Sequence, residues 1–340
     1  MKKFLAMFKA RTMEFVRDRG TFFWNLLFPL LLVFGFAFAF SGNGQDLFKV
    51  GVIGKPDSSL SFMQLSQINF IYYDITSPEV SKEEILKNLR QHKIDMVIDF
   101  QSGQYYINKL SPKGPLLKRL LLADSGHPGS FPLSEQQVSG KAVRYVDWLV
   151  PGVIGMNMLF ACLFGVGYVI VRYRKNGVLK RLKATPVSAL NFVSAQAASR
   201  FVIVMVTSIV VYGGANLFLH FMMQGSYLNL ILLTSLAIIS MISLGLVFAA
   251  RMKSEELANG LMNLVTFPMV VFSGVFFSLE GTPKILQKIA QVLPLTHFVN
   301  GARAIMLDGA GFTQVLPDYL YLGGVSLLFV LLASFTFKWE

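Results

Sequence analysis

Charged residues are scarce in this chain: 15% of its 340 residues, against 54% hydrophobic ones and a mean hydropathy of +0.54. A soluble domain carries roughly a quarter charged residues, so most of this chain belongs in lipid. The single cysteine, Cys162, excludes an intramolecular disulfide and any cysteine-based metal cluster. His92 and His127 have no ligand-like spacing to other histidines or acids and read as solvated surface residues. There is no G-x-x-x-x-G-K-S/T run, and Gly51-Val52-Ile53-Gly54-Lys55-Pro56 echoes one only superficially, so the chain has no P-loop of its own for ATP. Nor is there an H-E-x-x-H or G-x-S-x-G motif, which leaves an enzyme reading without support. No internal repeat is apparent, which argues against inverted-repeat secondary transporters. The middle of each apolar window is free of Asp, Glu, Lys and Arg, where a proton-coupled pump needs ionisable relays.

What is present is a series of charge-free windows at 20–45, 148–171, 201–250, 257–279 and 319–337. Each exceeds or approaches the roughly 20 apolar residues that cross about 30 Å of hydrocarbon. The third suffices for two spans, with Gln224-Gly225-Ser226-Tyr227-Leu228-Asn229 as the turn. The expected fold is therefore a polytopic α-helical membrane protein with six transmembrane helices, at 21–41, 148–171, 201–223, 227–250, 257–279 and 319–337. With both termini inside, the cytoplasmic side receives 16 Lys or Arg and five acids, and the outside 15 and 14. This asymmetry follows the positive-inside rule and accounts for the net charge of +12 without nucleic acid. Residues 1–20, with Phe4, Leu5, Phe8, Phe15 and Val16, read as an amphipathic helix on the cytoplasmic interface. Ala37-Phe38-Ala39 resembles a signal cleavage site, but the apolar run before it exceeds a signal core.

Residues 42–147 shift to a globular composition, with 12 basic and 11 acidic residues. Strands are expected at 48–53, 70–73, 96–100 and 105–108. A capping box from Ser81 to Glu84 opens a helix with Ile85, Leu86 and Leu89 on one face. This predicts a small extracytoplasmic α/β domain between spans 1 and 2. Tyr72, Tyr73, Tyr105 and Tyr106 read as core aromatics in preference to a ligand face.

Residues 172–200 hold seven Lys or Arg and no acid, which marks a cytoplasmic loop. Inside it, Thr185 is the expected N-cap and Pro186 the first position of a short helix. That helix, running through Val187 and Ser188, would offer Val187 and Leu190 to a partner's groove, with Arg181 and Lys183 steering an acidic rim. Pro268 frees a carbonyl in the fifth span. Residues 280–318 are expected at the outer interface, where Ile285, Ile289, Val292 and Leu293 share a helical face that Pro294 ends. His297 and Arg303 follow as interface anchors or headgroup contacts.

These residues together resemble a known family. Arg172 to Leu190, with Lys180-Arg181-Leu182-Lys183-Ala184-Thr185-Pro186-Val187-Ser188, is similar to the loop of ATP-binding-cassette (ABC) type-2 transporter permeases. So are Phe272-Ser273-Gly274-Val275-Phe276-Phe277, then Leu293-Pro294-Leu295-Thr296-His297-Phe298-Val299-Asn300-Gly301-Ala302-Arg303, and Leu307-Asp308-Gly309. The order of parts matches over essentially the whole chain. At Lys180 the loop departs from the acidic residue usual in the family. The resemblance implies the permease subunit of an ABC exporter in a bacterial cytoplasmic (inner) membrane. It also implies a second permease copy or paralogue, and cytoplasmic P-loop ATPase subunits that bind the ATP and Mg. Thr185, Pro186, Val187, Ser188 and Leu190, with Arg181 and Lys183, would couple to the ATPase. Spans 2 and 5 would line the pathway, with Pro268, Phe272, Ser273, Gly274, His297 and Arg303 as pathway or gating positions. Uncharged, aromatic-rich spans suit an amphipathic or hydrophobic cargo, whether drug, lipid or peptide. The competing expectation is a membrane-anchored scaffold whose external domain binds a ligand without transport.

Overall fold

The computed structural model describes residues 2–39, 48–54, 68–73, 82–111, 113–124, 134–138, 143–185, 187–252, 254–277, 279 and 282–336. The chain forms two compact units, one of Met1–Phe40 with Tyr145–Glu340 and one of Ser41–Arg144. It opens with α1 (Lys2–Arg17) and α2 (Arg19–Ala39). Asp18 separates them and caps α2, accepting from Thr21 N at 3.1 Å and Thr21 Oγ1 at 2.6 Å. Those two bonds hold its carboxyl below the usual carboxylate range.

The unit Ser41–Arg144 is built from β1 (Phe48–Ile53), β2 (Ile68–Tyr73), α3 (Lys82–Arg90), β3 (Met96–Asp99), β4 (Gln104–Asn108), α4 (Gly114–Asp124) and β5 (Ser134–Val138). Its sheet runs β2-β1-β3-β4-β5, with only the β3–β4 pair antiparallel. The period-2 alternation sorts side chains onto two covered faces. Val50, Val52, Met96, Ile98, Tyr105 and Ile107 pack with Leu117 and Leu121 of α4, whereas Ile53, Val97 and Tyr106 pack with Ile85 and Leu89 of α3. Tyr105 and Tyr106 are thus core residues on opposite faces, and Tyr72 is exposed on strand β2. The four expected strands are present. The polar strand β5 and helix α4 were not expected from the sequence. Ser81 of the expected capping box and His127 lie outside the described residues.

The second unit continues with α5 (Tyr145–Cys162), a π-helical segment (Leu163–Tyr168), α6 (Val169–Lys175), α7 (Val178–Lys183), α8 (Ala189–Leu219), α9 (Tyr227–Arg251), α10 (Glu255–Phe272), α11 (Lys284–Gln291), α12 (Pro294–Asp308) and α13 (Phe312–Thr336). Three of these helices start on a serine whose hydroxyl accepts a first-turn amide. Ser188 takes Asn191 N at 3.3 Å, Ser226 takes Leu228 N at 3.2 Å and Ser254 takes Leu257 N at 3.4 Å. Among the described residues, five helical stretches are long and apolar enough to cross a membrane: Arg19–Ala39, Tyr145–Lys175, Ala189–Leu219, Tyr227–Ala250 and Phe312–Phe335. The expected span 257–279 coincides with α10, which opens on Glu255 and Glu256, ends at Phe272 after 18 residues and falls outside that set.

Two expectations about residues 172–200 are corrected. Thr185 does not cap a helix: its Oγ1 donates to Leu182 O at 2.6 Å, closing the end of α7, and the next helix starts at Ser188. Ser188 has the extended backbone a cap needs, with φ −76° and ψ 153°, and it places Asn191 at the receiving position. Pro186 lies outside the described residues. Because α8 then runs from Ala189, Arg200 is inside a long apolar helix and fully buried among its neighbours, not at the edge of a loop. The helices are therefore less free of charge than the windows suggested.

Candidate functional site

Residues 169–183 fold as two short helices, α6 ending at Lys175 and α7 spanning Val178–Lys183, joined through Gly177 at φ +70°. A left-handed residue at this corner suits glycine, which has no Cβ to clash. Leu179 is buried and fixes α7 to what lies beneath it. The outer surface is otherwise bare. Lys175, Lys180, Arg181, Lys183 and Thr185 are exposed, Val187 is half-buried, and Leu190 is 79% exposed in the first turn of α8. The tip thus presents one apolar side chain amid exposed cations, with no acid in the segment.

The base of this loop is tied to three other elements. Arg174 donates to Ala249 O at 2.9 Å and to Met252 O, capping the last turn of α9. Tyr168 donates to Glu255 Oε2 at 3.1 Å at the start of α10. Tyr173 donates to Glu14 of α1, which also pairs with Arg11 at 2.8 Å.

Beneath these ties the π segment explains why Arg11 and Arg200 are buried. A π turn widens the helix and breaks the i→i−4 ladder, leaving carbonyls in need of donors. Arg200 Nε donates to Ala161 O at 2.6 Å and Arg11 Nη2 to Gly165 O at 3.0 Å. The Arg200 guanidinium also lies over the Phe15 ring, 5.3 Å from its centroid. Thr12 and Ser199 share a hydrogen bond of 2.8 Å, closing the contact between α1 and α8. Gly165 is required here: a Cβ on it would fall 2.0 Å from the Arg200 guanidinium carbon. Gly167 is needed in the same way, since its Cβ would meet Gly245 O of α9 at 2.8 Å.

The remaining sequence candidates lie on α10, on α12 and between them. Pro268 is exposed within α10 and Phe272 is half-buried at its end. Ser273 is buried and accepts from Thr296 Oγ1 at 3.0 Å, and Gly274 follows at φ +68°. Arg303 donates to Trp148 O at 3.0 Å and Gly274 O at 2.7 Å, with its guanidinium 3.5 Å from the Trp148 ring centroid. His297 bonds Asp318 Oδ1 at 2.7 Å and Gln291 O at 2.8 Å and stacks on Tyr321. Burial alone would push the His297 pKa down, but the bonds to Asp318 and to the Gln291 carbonyl outweigh it and leave it raised. Both residues thus clamp helices together. The structure brings Ser273, Gly274 and Arg303 into one cluster and leaves Pro268 and His297 out of it. On α11, Ile285 and Ile289 are exposed, as is Val292 just past its end.

Sequence reasoning did not identify Arg11, Arg174 or Arg200. A signal was available for Arg200: it follows Ser194-Ala195-Gln196-Ala197-Ala198-Ser199, a good helical run continuous with the apolar window.

A family model described as ABC-2 family transporter protein matches residues 19–335. The chain is 24% identical to the linearmycin resistance permease protein LnrN of Bacillus subtilis, over 93% of this chain and 94% of that protein. It is 18% identical to the probable multidrug ABC transporter permease YbhS of Escherichia coli, over 96% of this chain and 94% of that protein. A 27% match to the inner membrane transport permease YhhJ of Escherichia coli covers 54% of this chain and 49% of that protein.

Proposed function

This chain belongs to the ABC-2 transporter family, and on that premise we propose that it is the permease of an exporter driven by a separate P-loop ATPase docked on residues 175–190. The observation that carries the reading is the contrast within that segment, an exposed basic tip with Leu190 on a base tied to α1, α9 and α10. A surface built only to obey the positive-inside rule needs no such mounting. When the ATPase binds ATP and Mg and changes shape, a displacement of α7 is passed through Arg174 to the end of α9. Tyr168 passes it to the start of α10, and Tyr173 passes it to α1.

In this reading the permease has six spans, the five long helices and the shorter α10. Both termini and the basic loop are cytoplasmic, the membrane is a bacterial inner membrane, and Ser41–Arg144 is the extracytoplasmic domain. A second copy or a paralogue completes the pathway along α5 and α10, with Pro268 and Phe272 on its wall. Ser273, Gly274 and Arg303 hold the α10 exit in place, and His297 holds α12 against α13. The relatives named for linearmycin resistance and multidrug transport support efflux of an amphipathic or hydrophobic compound. The scarcity of charge in the long helices supports the same class.

The test is purification of the full chain from its native membranes in nanodiscs, with mass spectrometry of what accompanies it. A P-loop ATPase should copurify, and a Leu190→Cys variant should crosslink to it. Cys162 is buried and leaves that reaction to position 190. Absence of any ATPase, with ligand binding by the external domain, would favour the scaffold reading instead.

A further inference from the structure

A cavity of about 240 Å³ lies between α5, α8, α9 and α12. It is distant in sequence from the basic loop, toward the end of α8 and the start of α9. Its wall is almost wholly apolar, with Ile154, Met205, Leu230, Phe298 and Met306 among its lining residues. An apolar cavity of roughly 150 Å³ already takes up an aromatic ring, so this one has room for a ring or a stretch of alkyl chain.

One hydroxyl on this wall is anomalous. Ser208 Oγ is buried and makes no hydrogen bond among the described residues, and Ser208 is only 5% exposed. Neighbouring hydroxyls show what a helix in lipid ordinarily does with such a group: they turn it back onto a preceding carbonyl. Thr207 donates to Val204 O at 3.0 Å, and Thr234 on the facing side of the cavity donates to Leu230 O at 2.7 Å. Ser208 does not. An unmet hydroxyl at membrane depth is costly because lipid chains offer it no partner.

The cavity also reaches the outside of the helical unit. Ile209, Tyr227 and Ile231 line it and are 55%, 54% and 47% exposed. Their neighbours Val206, Leu228 and Leu232 are exposed as well. A ligand therefore arrives sideways from the bilayer.

We propose that this cavity is a binding site for a membrane amphiphile, an alkyl chain bearing one hydroxyl or carbonyl oxygen that pairs with Ser208. The chain fills the apolar volume, and the oxygen satisfies the Ser208 hydroxyl. The site lies on the α8–α9 side of the unit, away from the pathway assigned above to α5 and α10. It does not depend on the ATPase reading, since it requires only that these helices stand in lipid.

Gly213 supplies the cleanest variant. It lines the cavity, and nothing lies within 4 Å of a Cβ built on it. Replacing a glycine inside a helix also favours the helix, so Gly213→Phe blocks the cavity without endangering the fold. The full chain in phosphatidylcholine nanodiscs is irradiated with hexadecanol carrying a mid-chain diazirine, and the labelled peptides are mapped. Labelling should concentrate on residues 205–213 and 227–234 and be competed by unlabelled hexadecanol. It should fall at least fivefold in Gly213→Phe and about threefold in Ser208→Ala, as loss of one neutral hydrogen bond implies. Val202→Phe, on α8 outside the cavity, should label as the native chain does. Undiminished labelling in Gly213→Phe, or label spread evenly over the exposed faces of α8, α10 and α13, would overturn the site. Equal competition by hexadecane would overturn the role of the Ser208 hydroxyl.

Discussion

At the base of the basic loop nearly every polar side chain is committed to a carbonyl or an opposite charge, and at its tip nearly every polar side chain faces outward. Arg11, Arg174 and Arg200 each reach backbone carbonyls of another element. Lys180, Arg181 and Leu190, within a few turns of them, are exposed. The same residue types thus serve opposite ends. Below, arginine is structural, because burying a guanidinium costs too much unless its donors are taken. Above, cations and an apolar side chain are exposed, which the proposed docking of an ATPase would use. Substitutions should therefore separate, with base variants acting on stability and replacement of the exposed Leu190 acting on coupling alone.

The largest effect is expected for Gly165→Leu. Its side chain would occupy the space of the Arg200 guanidinium and strand a buried charge, costing about 3–5 kcal/mol. Thermal unfolding of the purified chain in detergent should show this as a marked drop in melting temperature. Arg200→Ala removes the donor to Ala161 O and should cost about 2 kcal/mol. Combining the two should cost clearly less than their sum, since Gly165→Leu harms chiefly by displacing Arg200. Strict additivity in that cycle would break the account of the π segment.

Next in size is the helix cap. Ser188→Ala should lose about 1 kcal/mol, measured as the same melting shift, and Thr185→Ala distinctly less. Equal losses would return the cap to Thr185.

The smallest effect is that of His297. Its pKa is raised in the folded chain, so its contribution is full below its ordinary value near pH 6.5 and is lost as the pH rises through the higher folded value. Stability should therefore decline on going from about pH 6 to pH 8, by under about 1 kcal/mol for a partly exposed pair. His297→Gln should remove that dependence.

Much of this was legible in the sequence because lipid imposes one strong rule, an unbroken run of apolar residues. The charge-free windows accordingly found α2, α8, α9 and α13 and the α5–α6 stretch to within a few residues at most ends. Where the chain offered competing local solutions, reading failed. Thr185 and Ser188 are both good caps three residues apart, and only the backbone conformation chooses between them. The π segment reads Leu163-Phe164-Gly165-Val166-Gly167-Tyr168, indistinguishable in composition from ordinary apolar helix. The side chains that meet the carbonyls in and just before it, Arg11 and Arg200, lie far away in sequence. Strand β5, Ser134-Glu135-Gln136-Gln137-Val138, is polar because it is a sheet edge, so no alternation announces it. Arg303 and His297, expected as interface anchors or headgroup contacts, are bonded to Trp148, Gly274, Gln291 and Asp318, partners that no local pattern announces.

The division between tip and base is tested most directly at Leu190. The native chain and its Leu190→Asp variant are reconstituted in nanodiscs with the copurifying ATPase, and ATP turnover is compared with that of the ATPase alone. The variant should melt at the same temperature as the native chain, because the side chain is 79% exposed. Its stimulation or restraint of turnover should fall at least tenfold. An unchanged melting temperature together with unchanged turnover would contradict the assignment of the tip as the docking surface.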